Sequence, residues 1–67
     1  MKISYKKLWI KLAENEISKQ EFRQKVDIAT GTMTKLNKGE EVSLTVLLKI
    51  CDFLDCNIGD ICDAVRG

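Results

Sequence analysis

Apolar residues recur at helical spacing in short segments, and this pattern constrains the fold more than any other feature of the sequence. Leu8 and Leu12 are four positions apart, as are Phe22 and Val26. Such spacing is typical of amphipathic helices that bury one face. Proline, which would break a helix, is absent from the chain. The sequence therefore predicts an all-α fold built from short helices.

The length of 67 residues predicts one domain, spanning 1–67. A chain of this size buries only about 60% of its unfolded surface, which leaves a thin core and little room for a deep catalytic pocket. Histidine is absent, so the usual general base and the commonest metal ligand are both missing. No nucleophile–base pair stands out either, and we expect no enzymatic activity.

Three cysteines lie in the last third of the chain, at Cys51, Cys56 and Cys62. Their odd number argues against a disulfide framework, and their spacing does not match a zinc site. We expect them to be structural thiols in a reducing cytoplasm, with no metal and no other cofactor. No apolar run exceeds three residues, so the sequence predicts neither a membrane span nor a secretory signal.

Cap and stop signals divide the chain into five predicted helices. Ser18 and Glu21 form a capping box before the second helix, Gly39 ends the third, and Ser43 caps the fourth. The third helix has poor intrinsic propensity, so tertiary packing must hold it. The predicted segments run from about 4 to 15, 18 to 27, 30 to 38, 43 to 54 and 58 to 65.

The fourth predicted helix carries two apolar stripes. A helix that is apolar on two sides lies at the centre of a core or also faces a partner. We assign the first stripe to the core, and the second is either core or dimer surface. Self-association through the C-terminal half is expected, with Phe53→Glu giving a folded monomer. The first stripe is Leu44, Leu47, Leu48, Cys51 and Leu54, and the second is Val46, Ile50 and Phe53.

Charge is distributed unevenly along the chain. Residues 1–38 contain nine basic and four acidic side chains, a net charge of +5. Residues 39–67 contain two basic and six acidic side chains, a net charge of −4. Such asymmetry is compatible with a nucleic-acid-binding face, and equally with solvated helix surfaces.

The second and third predicted helices are joined by about three residues, as in a helix-turn-helix. Their inner faces are apolar, whereas the outer face of the third is short or cationic. Threonine hydroxyls bond phosphates or base edges, and lysine reaches a guanine edge or a phosphate. The outward residues are Gly31, Thr32, Thr34, Lys35 and Lys38.

The ordered set of segments resembles the XRE family of bacterial and phage regulators, the Cro and lambda-repressor-like helix-turn-helix domains. The resemblance covers about residues 4 to 63 and implies a compact five-helix fold that binds double-stranded DNA, often as a homodimer. Departures from the family pattern include Asp27 at the turn glycine and Ala29 at the cap of the recognition helix, which leaves Thr30 as a possible cap. The matching segments are Ser18–Phe22, Ile28–Met33, Lys35–Gly39, Val42–Cys51 and Leu54–Ile61.

By matching position, the resemblance implies that Thr30, Gly31 and Lys35 face base edges. It places four further residues near phosphates: Lys19, Thr32, Thr34 and Lys38. The predicted function is a sequence-specific transcriptional regulator, a repressor, with the recognition helix at about 30–38 in the major groove. The alternative is a helix-turn-helix scaffold that acts by protein contact, as an antitoxin-like or anti-repressor partner.

Overall fold

The computed structural model describes residues 1–67 and contains four α-helices and a small two-stranded sheet. None of the helices is long and apolar enough to cross a membrane. The elements in chain order are β1 (Lys2–Ser4), α1 (Lys6–Glu14), α2 (Lys19–Val26), α3 (Thr30–Lys38), α4 (Leu44–Leu54), a 3-10 turn (Ile58–Asp60) and β2 (Asp63–Val65).

Every helix contributes side chains to one hydrophobic core. The pairs that the sequence predicted in α1 and α2 are buried there, together with the inward residues of α3. Because both α2 and α3 are short, their packing against this core holds them in place more than helix propensity does. The largest fully buried side chains are Phe22, Leu8, Leu36, Ile50 and Ile61.

Local signals mark both ends of α2 where the sequence predicted them, although only one of the two bonds of the predicted capping box forms. The Ser18 hydroxyl accepts a hydrogen bond from the backbone N–H of Glu21 at 3.1 Å. At the other end Asp27 adopts the left-handed conformation, with φ of 61°. Aspartate tolerates this conformation better than most residues, so it replaces glycine at the turn. Gly39 ends α3 in the same conformation, with φ of 73°.

The structure corrects the assignment of the two stripes on α4. Ile50 is fully buried and Phe53 packs on Phe22, with ring centroids 6.2 Å apart, so neither is a free dimer surface. The expected core stripe is confirmed in part, since Leu47 and Cys51 are buried, whereas Leu44 and Leu48 are 61% and 53% exposed. The physical reason is that α2 contacts the Phe53 side of α4, which turns the Leu44 side outward.

The predicted fifth helix does not form, and the fold is therefore not purely α-helical. Asn57 and Asp60 bond each other in a capping box, but only one 3-10 turn follows. The chain then extends as β2 and pairs antiparallel with β1, with Ile3 opposite Ala64. A helix this short is unstable alone, whereas strand pairing satisfies the backbone groups of both terminal segments.

Two of the three cysteines lie in the core, as the sequence predicts for structural thiols. Cys51 and Cys62 are buried, Cys56 is half-buried, and all three are free thiols. Burial raises the pKa of the Cys51 and Cys62 thiols. No group of three or more His, Cys, Asp or Glu side chains is arranged to hold a metal ion.

A buried tyrosine connects the start of α1 to the loop that follows α3. The Tyr5 hydroxyl donates to the Glu40 backbone carbonyl at 2.8 Å, and its side chain is nearly fully buried. Tyr5→Phe should lower the free energy of unfolding by about 1 kcal/mol, because that carbonyl loses its donor. Urea denaturation with an unchanged m-value measures the effect. An unchanged midpoint would show that this bond does not hold the loop.

Candidate nucleic-acid interface

A three-residue turn connects α2 to α3 and sets the angle between them. The backbone N–H of Ile28 donates to the Arg23 carbonyl at 3.0 Å, across the left-handed Asp27. This closes α2 and directs the Ile28 side chain into the core. Met33 and Leu36 of α3 are also buried, so one face of α3 is anchored and the opposite face lies in solvent.

The structure brings most of the predicted DNA-binding residues to this free side of the molecule. Thr32 is the exception, because it is half-buried. No ion pair engages any of the predicted lysines, since the ion pair of this structure joins Lys7 to Asp63. The exposed predicted residues are Lys19, Thr30, Gly31, Thr34, Lys35 and Lys38.

The two exposed threonines of α3 differ in what their hydroxyls can donate. The Thr34 hydroxyl donates to the Thr30 carbonyl at 3.1 Å, so its proton is already engaged within the helix. The Thr30 hydroxyl has no protein partner, and Ala29 rather than Thr30 occupies the N-cap position. Thr30 is therefore free to donate to a ligand, whereas Thr34 must first break its bond.

Gly31 lies in the first turn of α3 with open space around it. A Cβ built on this residue meets no atom within 4 Å, and its φ is not positive. The folded chain therefore has no steric need for glycine at this position. What the glycine provides is a flat outward surface, where a partner can approach the helix backbone closely.

Lys35 lies at the edge of an open groove of about 680 Å³ between α3 and the terminal sheet. Glu40 and Glu41 line the same groove, yet neither forms an ion pair with Lys35. Lys38 is exposed near the end of α3. The outward face of α3 thus carries two free ammonium groups, with acidic side chains on one flank.

Lys19 at the start of α2 is held in place by two neighbours that the sequence analysis did not assign to the site. Its Nζ lies 4.2 Å from the centroid of the Trp9 ring and donates to Asn37 Oδ1 at 2.9 Å. Asn37 could have been predicted from helical spacing, because it lies seven residues after Thr30 and three after Thr34 and so shares a side of α3 with them. No pattern in the sequence pairs Trp9 with Lys19, since they belong to different helices.

Backbone donors add to the positive potential of this face. The first N–H groups of α2 and α3, such as those of Lys19, Thr30 and Gly31, have no partner within the chain. Unpaired N–H groups and the helix dipole make such termini favourable for anions. Two helix N-termini and three lysines therefore lie on the side of the molecule that α3 leaves exposed.

Comparisons with known proteins agree with this geometry. Residues 7–66 match the family model of the Cro/C1-type helix-turn-helix DNA-binding domain. The fold is similar to the crystal structure of the transcriptional regulator VanUg, with a TM-score of 0.96 and 45% sequence identity over 98% of this chain and 88% of that chain. No significant match was found among the curated proteins.

Proposed function

The chain belongs to the Cro/C1-type helix-turn-helix family of DNA-binding regulators, and we propose that it recognises a specific duplex sequence through α3 and acts as a repressor. Residues 1–67 act as a single helix-turn-helix domain in this proposal. The observation that carries it is the outward face of α3, where Thr30, Gly31 and Lys35 are exposed beside buried Met33 and Leu36. A helix anchored on one face and unobstructed on the other fits the major groove.

Each proposed contact follows from the chemistry of its residue. Lys35 donates to the O6 and N7 acceptors of guanine, and Thr30 donates to a base edge. Gly31 lets the helix backbone lie close to the base pairs. Lys19 and Lys38 contact phosphates, which position the domain without reading sequence. Thr32 and Thr34 contribute less, because one is half-buried and the other's hydroxyl proton is engaged.

We also propose that the protein binds DNA as a homodimer through α4. Leu44 and Leu48 are one turn apart and both more than half exposed, although they are large apolar side chains. Burying them between two copies removes apolar surface from water. A symmetric pair would present two α3 helices to half-sites about 34 Å apart.

Lys35→Ala and Lys38→Ala distinguish base reading from phosphate contact. Lys35→Ala should lower affinity for a duplex selected from a random pool by about 1–3 kcal/mol and relax discrimination at one base pair per half-site. Lys38→Ala should weaken binding to all sequences alike and reduce the salt slope by about one unit. Fluorescence anisotropy on the selected and a scrambled duplex, at two salt concentrations, measures both.

Two outcomes of that experiment would count against the proposal. If Lys35→Ala binds the selected duplex as tightly as the native chain, α3 does not read bases through Lys35. If the native chain selects no sequence and its affinity for duplex DNA does not fall with salt, it makes no phosphate contacts. The protein-contact alternative would then be the better account.

A further inference from the structure

Three helices meet through side chains at the edge of the proposed DNA-binding face. Trp9 comes from α1, Lys19 from the first position of α2, and Asn37 from the last turn of α3. The Lys19 ammonium lies over the Trp9 ring at 4.2 Å and donates to Asn37 Oδ1 at 2.9 Å. We call these three residues the Trp9 cluster.

The ammonium group in this cluster is held but its charge is not neutralised. No carboxylate lies within ion-pair distance of Lys19. An ammonium has three protons, and Asn37 accepts one of them, so two remain for a ligand. The Asn37 side-chain amide uses its oxygen within the cluster, while its Nδ2 donates to no protein group. The cluster therefore presents an ammonium and a neighbouring amide donor, both exposed.

Holding a lysine side chain in one position lowers the entropy cost of binding, because a free lysine side chain samples many rotamers and loses that freedom when it binds. An aromatic ring attracts a cation through its quadrupole, and the attraction is weak but directional. A side chain already held in its binding position loses less freedom on binding, which raises affinity. Trp9 is the only tryptophan in the chain and the only ring described in contact with a cation.

We infer that Trp9 is a positioning residue for a backbone-phosphate contact that Lys19 and Asn37 make together. The inference deepens the proposed function and rests on it. Two donors side by side match the two non-bridging oxygens of a phosphodiester, so Lys19 Nζ and Asn37 Nδ2 bind one phosphate. Trp9 does not touch DNA in this arrangement; it acts through Lys19.

A double-mutant cycle tests whether Trp9 acts through Lys19. The probe is a duplex of roughly two helical turns, in selected and scrambled versions. Lys19→Ala should weaken binding to both versions about 5- to 10-fold and reduce the salt slope by about one unit. Trp9→Leu should weaken binding about 2- to 5-fold. In the Lys19→Ala background, Trp9→Leu should have no further effect, because the group it positions is gone.

Matched variants separate this role from packing. Lys19→Arg keeps a cation that stacks on the ring and should bind within about twofold of the native chain. Lys49→Ala, an exposed lysine on α4, should leave binding unchanged apart from a small general charge effect. Asn37→Asp keeps an acceptor for Lys19 but places a carboxylate beside the phosphate, so it should weaken binding more than Asn37→Ala.

The free protein gives a readout that does not depend on DNA. Lys19→Ala should shift the fluorescence emission of Trp9. In the native chain the ring current of Trp9 should shift the Lys19 side-chain proton resonances upfield, and Trp9→Leu should move them back downfield. If Trp9→Leu does not fold, Trp9→Phe replaces it, since a phenyl ring keeps packing and part of the attraction.

Three results would contradict the inferred role of Trp9. Losses from Trp9→Leu and Lys19→Ala that simply multiply would show that Trp9 acts through packing, and the inference would be wrong. Unshifted Lys19 resonances in the native chain would overturn it as well. If the native chain binds no duplex while the Lys19 resonances are shifted, the cluster exists, but the proposed function fails and the inferred phosphate contact fails with it.

Discussion

Phe53→Glu should destabilise the fold instead of giving the folded monomer that the apolar pattern of α4 predicts. Phe53 is half-buried against the fully buried Phe22, with ring centroids 6.2 Å apart. Removing a large aromatic side chain and placing a carboxylate there should cost about 2–4 kcal/mol. For a domain of this size, the melting temperature should fall by about 10–25 °C. Thermal unfolding, monitored by circular dichroism, measures this fall in melting temperature.

Leu48→Glu is the matched control on the same helix. Leu48 is 53% exposed, so a carboxylate there stays in water and should change the free energy of unfolding by less than about 1 kcal/mol. If α4 is the dimer interface, this variant should sediment as a monomer at concentrations where the native chain is a dimer. If the native chain remains monomeric at high micromolar concentration, the proposed dimer through α4 is wrong. A Phe53→Glu variant with native stability would show that the Phe22–Phe53 contact contributes nothing.

Gly31→Leu should strengthen the fold and weaken DNA binding at the same time. Replacing a helical glycine whose surroundings are open should stabilise the domain by about 0.5–1 kcal/mol. The same side chain projects from the outward face of α3 and should hold the helix away from the base pairs. We expect a loss of at least about tenfold, or about 1.4 kcal/mol, in affinity for the selected duplex.

Gly59→Leu provides the comparison for this substitution. Gly59 also has open space around it, but it lies in the 3-10 turn before β2 and not on α3. Gly59→Leu should leave DNA affinity unchanged, which shows that an added leucine does not by itself impair binding. If Gly31→Leu binds the selected duplex as tightly as the native chain, the first turn of α3 does not lie in the groove.

The sequence by itself determined the helices whose boundaries depend on neighbouring residues. Ser18 and Ser43 cap α2 and α4, and Asp27 and Gly39 end α2 and α3, because each of these interactions forms within a few residues along the chain. The outward face of α3 also followed from helical spacing, apart from Thr32, which is half-buried. The family resemblance, carried by the order of these segments, is confirmed by the match over residues 7–66.

Tertiary structure alone decided the features that depend on distant residues. The pairing of β1 with β2 joins the two ends of the chain, so no local pattern distinguishes it from a fifth helix. Both stripes of α4 are apolar enough to be buried, and only tertiary packing decides that Leu47, Ile50 and Cys51 face the core while Leu44 and Leu48 stay exposed. Lys19 and Asn37 are 18 residues apart, and only the packing of α1, α2 and α3 brings them to Trp9. Capping and periodicity act over one helical turn, whereas these contacts exist only once the whole core has formed.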